Sequence, residues 1–151
     1  MLKIFKIGLI FFLLTNCGYA PMYANQEDVD LNIKVIELNG EKDINIILAQ
    51  KLNRYRNDST NKLYEIKIIS DYQKNSLTKD ESGNTTDFRL ILDINFLINI
   101  NEDTKTLNFV EKFDMKKDGT LFEESNYEKT VKREMTDLIL QKFISQMLTI
   151  K

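Results

Sequence analysis

Hydrophobic and polar positions alternate along much of this chain, and the alternation changes period in an orderly way. Over residues 29–38, Val29, Leu31, Ile33 and Val35 take turns with Asp30, Asn32 and Lys34, which predicts a half-buried strand. Asn39-Gly40 is a break signal. Residues 43–57 switch to helical spacing, with Ile44, Ile47, Leu48, Leu52 and Tyr55 on one stripe and Asp43 placed to cap. Arg54 and Arg56 lie near the end of that helix, where positive charge suits the dipole. After a polar loop, residues 62–72 return to period two, with Tyr64, Ile66 and Ile68 on one face.

Residues 73–86 are polar and contain the turn signal Gly83-Asn84, so they read as a loop. The longest alternation follows over 87–101: Phe88, Leu90, Leu92, Ile94, Phe96, Ile98 and Ile100 share one face. A tight connection at 101–104 predicts a hairpin to a fourth strand over 106–115, with Leu107, Phe109 and Phe113 inward. Residues 121–149 form the last element, a long helix free of Pro and Gly. Its broad apolar face holds Tyr127, Val131, Met135, Leu138, Ile139, Leu140, Phe143, Ile144 and Met147. The order is β-α-β-β-β-α. One apolar sheet face and two amphipathic helices predict an α+β two-layer sandwich, a four-stranded mostly antiparallel or mixed sheet with two helices on one face.

The chain begins differently. Lys3 and Lys6 precede an apolar run, Ile7 to Leu14, and Thr15-Asn16-Cys17-Gly18 closes it. This is the order of a secretory signal, and the run is shorter than the ~20 residues of a membrane span. Leu14-Thr15-Asn16-Cys17 resembles the lipobox of bacterial lipoproteins, with Asn16 where Gly, Ala or Ser is usual. The expected organisation is a signal peptide over 1–16, a lipid-anchored tether over 17–27 and a single α+β domain over 28–151, with the lipid on Cys17. Lipid anchorage answers a physical need, because stable membrane attachment takes more than one acyl chain or a further signal.

Composition narrows the chemistry. The 151 residues include one Cys and no His. Ser-His-Asp and Cys-His nucleophiles cannot be built, nor the usual His-type zinc sites or an internal disulfide. No carboxylate cluster stands at metal-ligand spacing and no Gly-rich phosphate loop is present, so no metal, cofactor or catalytic residue is expected and the protein reads as a binder, not an enzyme. Without Lys3 and Lys6 of the leader, 19 basic side chains face 23 acidic ones, a net charge of −4. A mildly acidic domain does not suit nucleic acid.

Cys17-Gly18-Tyr19-Ala20-Pro21-Met22-Tyr23 is the most specific stretch. It resembles the start of the mature lipopolysaccharide-assembly lipoproteins, the LptE family, which open with Cys-Gly-aromatic-x-Pro-Leu-Tyr. Thr85-Thr86-Asp87-Phe88-Arg89 and Asn126-Tyr127 are similar to the family's approaches to its central strand and last helix. The resemblance implies the same β-α-β-β-β-α order. It also implies a lipid-anchored outer-membrane location facing the periplasm, and a place as the plug and folding partner of the β-barrel LptD, which passes lipopolysaccharide to the cell surface. Another periplasmic lipoprotein, a ligand-binding module or an envelope assembly factor, is the competing reading.

Lipopolysaccharide carries phosphates, which need Lys or Arg on an exposed face. Outward parity places Lys34, Lys67, Arg89 and Lys112 on four different strands of the uncovered face, as candidate contacts to phosphate or to an acidic barrel wall. Glu65, Asp93 and Asp114 share that face and are equally placed to pair with them as an ordinary solvated surface. Arg89 stands out, because its rigid fork matches phosphate better than an ammonium does. Tyr19, Pro21, Met22 and Tyr23 are either a docking strip for the barrel or bilayer, or a tether packed on its own domain.

Overall fold

The computed structural model describes residues 31–57, 62–100, 103–117 and 119–150. Cys17 and the Tyr19, Pro21, Met22, Tyr23 strip lie outside the described residues. Strand β1 (Asn32–Gly40) leads into helix α1 (Lys42–Leu52) and a single 3-10 turn (Asn53–Tyr55). Strands β2 (Leu63–Lys79), β3 (Thr85–Ile100) and β4 (Asp103–Lys116) follow, and helix α2 (Leu121–Met147) closes the chain. The strands lie side by side in sequence order, with β1 parallel to β2 and the other neighbours antiparallel. The fold is therefore the expected α+β sandwich with a mixed sheet, and the two helices provide its second layer.

The core lies where the alternation directs it. Leu90, Leu92, Ile94, Phe96 and Ile98 of β3 are fully buried, as are Ile66 and Ile68 of β2 and Ile44, Leu48 and Leu52 of α1. Phe143 of α2 stacks on Phe96 with centroids 4.0 Å apart, and Phe109 meets Phe96 edge-on at 6.0 Å. These offset and edge arrangements add to the area the rings remove from water.

Four details depart from the sequence reading. First, β2 does not stop at residue 72. It continues to Lys79, paired to β3 as far as Lys79↔Thr85, so most of the expected loop is strand. Its inward positions there are Tyr72, Lys74 and Ser76, which hide the apolar half of the alternation. Second, Asp43 is not the cap of α1. Glu41 holds that position without a side-chain cap, and Asp43 sits in the first turn, where its charge still suits the dipole. The helix also ends earlier, with Asn53–Tyr55 tightening to 3-10 geometry. Third, a register shift between Val35 and Glu37 of β1 turns Leu38 back toward the core and leaves Ile36 exposed. Fourth, Tyr127 and Leu138 are not part of the buried face of α2: they are 49% and 48% exposed.

Chain reversals are set by local chemistry. Gly40 ends β1 at φ +99°, and a Cβ there would stand 1.8 Å from the Ser70 carbonyl oxygen. That close approach lets Ser70 receive the incoming helix: Glu41 N donates to Ser70 Oγ at 3.0 Å, and Ser70 Oγ donates to the buried Asn45 Oδ1 at 2.9 Å. At the other helix, Thr120 and Glu123 form a reciprocal capping box.

Candidate functional site

The uncovered face of the sheet carries all four cations expected there. Three of them meet an acidic partner that strand register supplies. Lys34 stands opposite Glu65 and pairs with it at 3.1 Å. Lys67 stands opposite Glu37 and pairs at 3.0 Å. Arg89 stands opposite Asp114 and makes a two-pronged contact, Nε to Oδ1 at 2.7 Å and Nη2 to Oδ2 at 2.8 Å. Each partner's charge shapes the other: the Asp114 carboxylate holds the Arg89 guanidinium above its usual range, and hydrogen bonding from Arg89 lowers Asp114. Lys112 sits opposite Ile91, exposed, with no ion pair among the described residues.

The four do not form one row. Lys34 and Lys67 belong to the end of the sheet where β1 lies. Arg89 is eight residues from Leu97, the β3 position opposite Lys67, or roughly 26 Å along the strand. Arg89 and Lys112 are diagonal neighbours at the far end, close enough to address one anionic group. Between the two pairs lies an amide ladder. Asn108 Nδ2 donates to Asp93 Oδ1 at 2.5 Å and to Asn95 Oδ1 at 2.9 Å. Asp93 is thus occupied by amides and not by a lysine.

The most heavily charged buried feature lies on the opposite face, under α2, and sequence reasoning missed it. Lys74 points inward from β2 and bonds Glu124 at 2.7 Å and Glu128 at 2.8 Å. Its ammonium also lies 4.3 Å from the Phe88 ring centroid. Tyr72 donates its hydroxyl to Glu128 at 2.8 Å. Lys132 completes the group with Glu41 at 3.2 Å, standing over the Tyr72 ring at 3.9 Å. Burial pushes the Glu128 carboxyl up, yet the bonds from Lys74 and Tyr72 outweigh it and leave it below its usual range. Burial likewise disfavours charge on Lys74, and its two carboxylate partners reverse that, so Lys74 is raised. The Tyr72 phenol is raised well beyond its ordinary value by burial first and by Glu128 second. The usable signal was the spacing of Glu124, Glu128 and Lys132 on one helix face, together with Lys74 at inward parity.

Among the described residues, no group of three His, Cys, Asp or Glu side chains stands where it could hold a metal ion. No described helix is long and apolar enough to cross a membrane. The arrangement offers cations, amides and half-buried aromatics, which is the material of recognition by surface contact.

No family model matches the sequence, and no curated protein matches it. Solved structures do share the fold. Rare lipoprotein B from Shewanella oneidensis superposes with a TM-score of 0.58 at 17% identity, covering 79% of this chain and 98% of that one. A candidate lipoprotein from Caulobacter crescentus CB15 gives a TM-score of 0.56 at 10% identity, over 78% of this chain and 88% of that one. The chain therefore has the fold of these small bacterial lipoproteins.

Proposed function

We propose that this chain is a lipid-anchored outer-membrane lipoprotein that faces the periplasm and partners a β-barrel of the LptD type in lipopolysaccharide assembly. One coincidence carries the reading. The Cys17–Tyr23 motif, which resembles the LptE family, precedes a domain whose fold matches rare lipoprotein B. Motif and fold are independent observations, one made on residues outside the domain and the other on backbone geometry.

In this role the protein works by binding, without chemistry. Its two-layer body fills space inside the barrel as a plug, and the lipid on Cys17 keeps it at the membrane. Arg89 and Lys112 at one end of the open sheet face engage lipopolysaccharide phosphate. Arg89 exchanges its Asp114 partner for phosphate, and Lys112 contributes a charge that it shares with no carboxylate among the described residues. The Arg89–Asp114 pair is exposed and screened, so this exchange costs little.

Affinity capture with the tagged full chain, followed by mass spectrometry, tests the proposal. The expected result is a large outer-membrane barrel in the eluate and acyl mass on residue 17. Repeated capture without any such barrel sinks the partner assignment. A Cys17→Ala chain that is still processed and still fractionates with membranes sinks the anchor. Arg89→Glu is expected to weaken binding to purified lipopolysaccharide, and unchanged binding retires that residue as a contact.

A further inference from the structure

Helix α2 is held to the sheet by two different kinds of contact. Its second half packs through Met135, Ile139, Leu140, Phe143, Ile144 and Met147, all buried in the main core. Its first ten residues bury no apolar side chain. Leu121 is 82% exposed, Phe122 74% and Tyr127 49%, and the buried residue in this stretch is Glu124. What fastens this stretch is charge: Glu124 and Glu128 on Lys74, and Glu128 on Tyr72. The edge contact of Tyr127 with Phe113, at 6.3 Å, adds little area.

We infer that Leu121–Thr130 is a hinged arm, clasped to the sheet by Lys74 and released as a unit while the second half of α2 stays in place. The hinge lies at Val131, the first buried apolar residue of the helix. The arm carries its own cap in the Thr120–Glu123 box, so closing it requires no partner at its tip. Opening uncovers Phe88 and Phe113, which are only half-buried when the arm is closed.

Protonation is the release. The groups that face one another in the clasp are Glu124, Glu128 and Lys132 from α2, Tyr72 and Lys74 from β2, and Glu41 from the turn before α1. From β3 and β4 the neighbours are the rings of Phe88 and Phe113, and Asp114 and Lys116 of β4 line the groove beside Glu123, Glu124 and Tyr127. Neutralising the two glutamates leaves the half-buried Lys74 without a counter-charge, which favours the open form. Tyr72 and Lys74 are both raised, so they keep their protons throughout this range and do not offset the change. An arm of about three turns, once lifted, has too little helix of its own to hold its amides, so exchange reports the opening.

Amide hydrogen exchange on the full chain tests this. Glu124→Gln with Glu128→Gln is expected to speed exchange at residues 125–130 at neutral pH by roughly 10-fold or more, as for loss of a charge-assisted hydrogen bond. Residues 139–147 are expected to be unchanged. The parent protein should reach the same state on acidification, after correction for intrinsic exchange rates. Lys74→Met provides a second route should the double variant not fold. Loss of protection in both halves at one pH, or parent-like exchange of the arm in a folded variant, overturns the inference.

Discussion

Lys74 on β2 and Glu128 on α2 meet at 2.8 Å beneath the helix, with side chains only 25% and 18% exposed. The two residues lie 54 apart in the chain, and Lys74 stands where the strand alternation calls for an apolar side chain. A half-buried pair of this kind contributes little when compared with an apolar substitute, but removing one partner is costly.

Glu128→Gln is therefore expected to lower stability by about 1–3 kcal/mol at neutral pH. The sign of the pH dependence follows from the shifts. Glu128 is lowered in the folded state, so its contribution is present above the usual carboxylate range and is lost as pH falls through its folded value. Lys74 is raised, so its contribution is present below its ordinary value and is lost only in strong alkali. Urea midpoints between pH 3 and 8 should fall on the acid side for the parent, and less steeply for Glu128→Gln. Parallel curves would remove Glu128 from the account.

Gly40 is expected to resist substitution. Its φ of +99° is unfavourable for any side chain, and a Cβ would collide with the Ser70 carbonyl. Gly40→Ala should cost about 2 kcal/mol or more, because backbone strain and displaced neighbours add. Gly83 has a similar φ of +83° but open space around it, so Gly83→Ala should cost less. Denaturant midpoints of the two variants, measured together, separate collision from conformational strain.

The stacked pair Phe96–Phe143 anchors α2 to the sheet. Both rings are fully buried, and Phe143→Ala is expected to cost about 3–5 kcal/mol. Phe122→Ala, at an exposed position on the same helix, should change stability by less than about 0.5 kcal/mol. A thermal unfolding comparison of the two variants checks the assignment, and equal effects would contradict the burial pattern.

Thr120 accepts from Glu123 N at 3.3 Å, and its own N–H donates to Glu123 Oε2 at 2.7 Å. Thr120→Ala should lower stability by about 1 kcal/mol, and Thr120→Ser should restore most of it. Circular dichroism with urea titration reads both.

Much of the architecture was legible in the chain. The Phe88 to Ile100 alternation predicts a central strand, and the Leu107, Phe109, Phe113 series predicts its hairpin partner. Residues 73–79 were misread because Lys74 occupies an inward position, so the local pattern turns polar where the strand continues. Its partners, Glu124 and Glu128, lie fifty residues away and on another element. The bulge at Val35/Glu37 was equally hidden, since a single extra residue leaves composition unchanged.

By itself the sequence determined the type and order of the elements, the buried face of β3 and β4, and the outward placing of Lys34, Lys67, Arg89 and Lys112. These follow from periodicity, which is a local property. Only the tertiary structure decided that the four cations divide into two pairs, that Arg89 grips Asp114, and that Lys74 is clasped beneath α2. Those outcomes depend on register and on which helix lies above which strand, and contacts between distant residues set both.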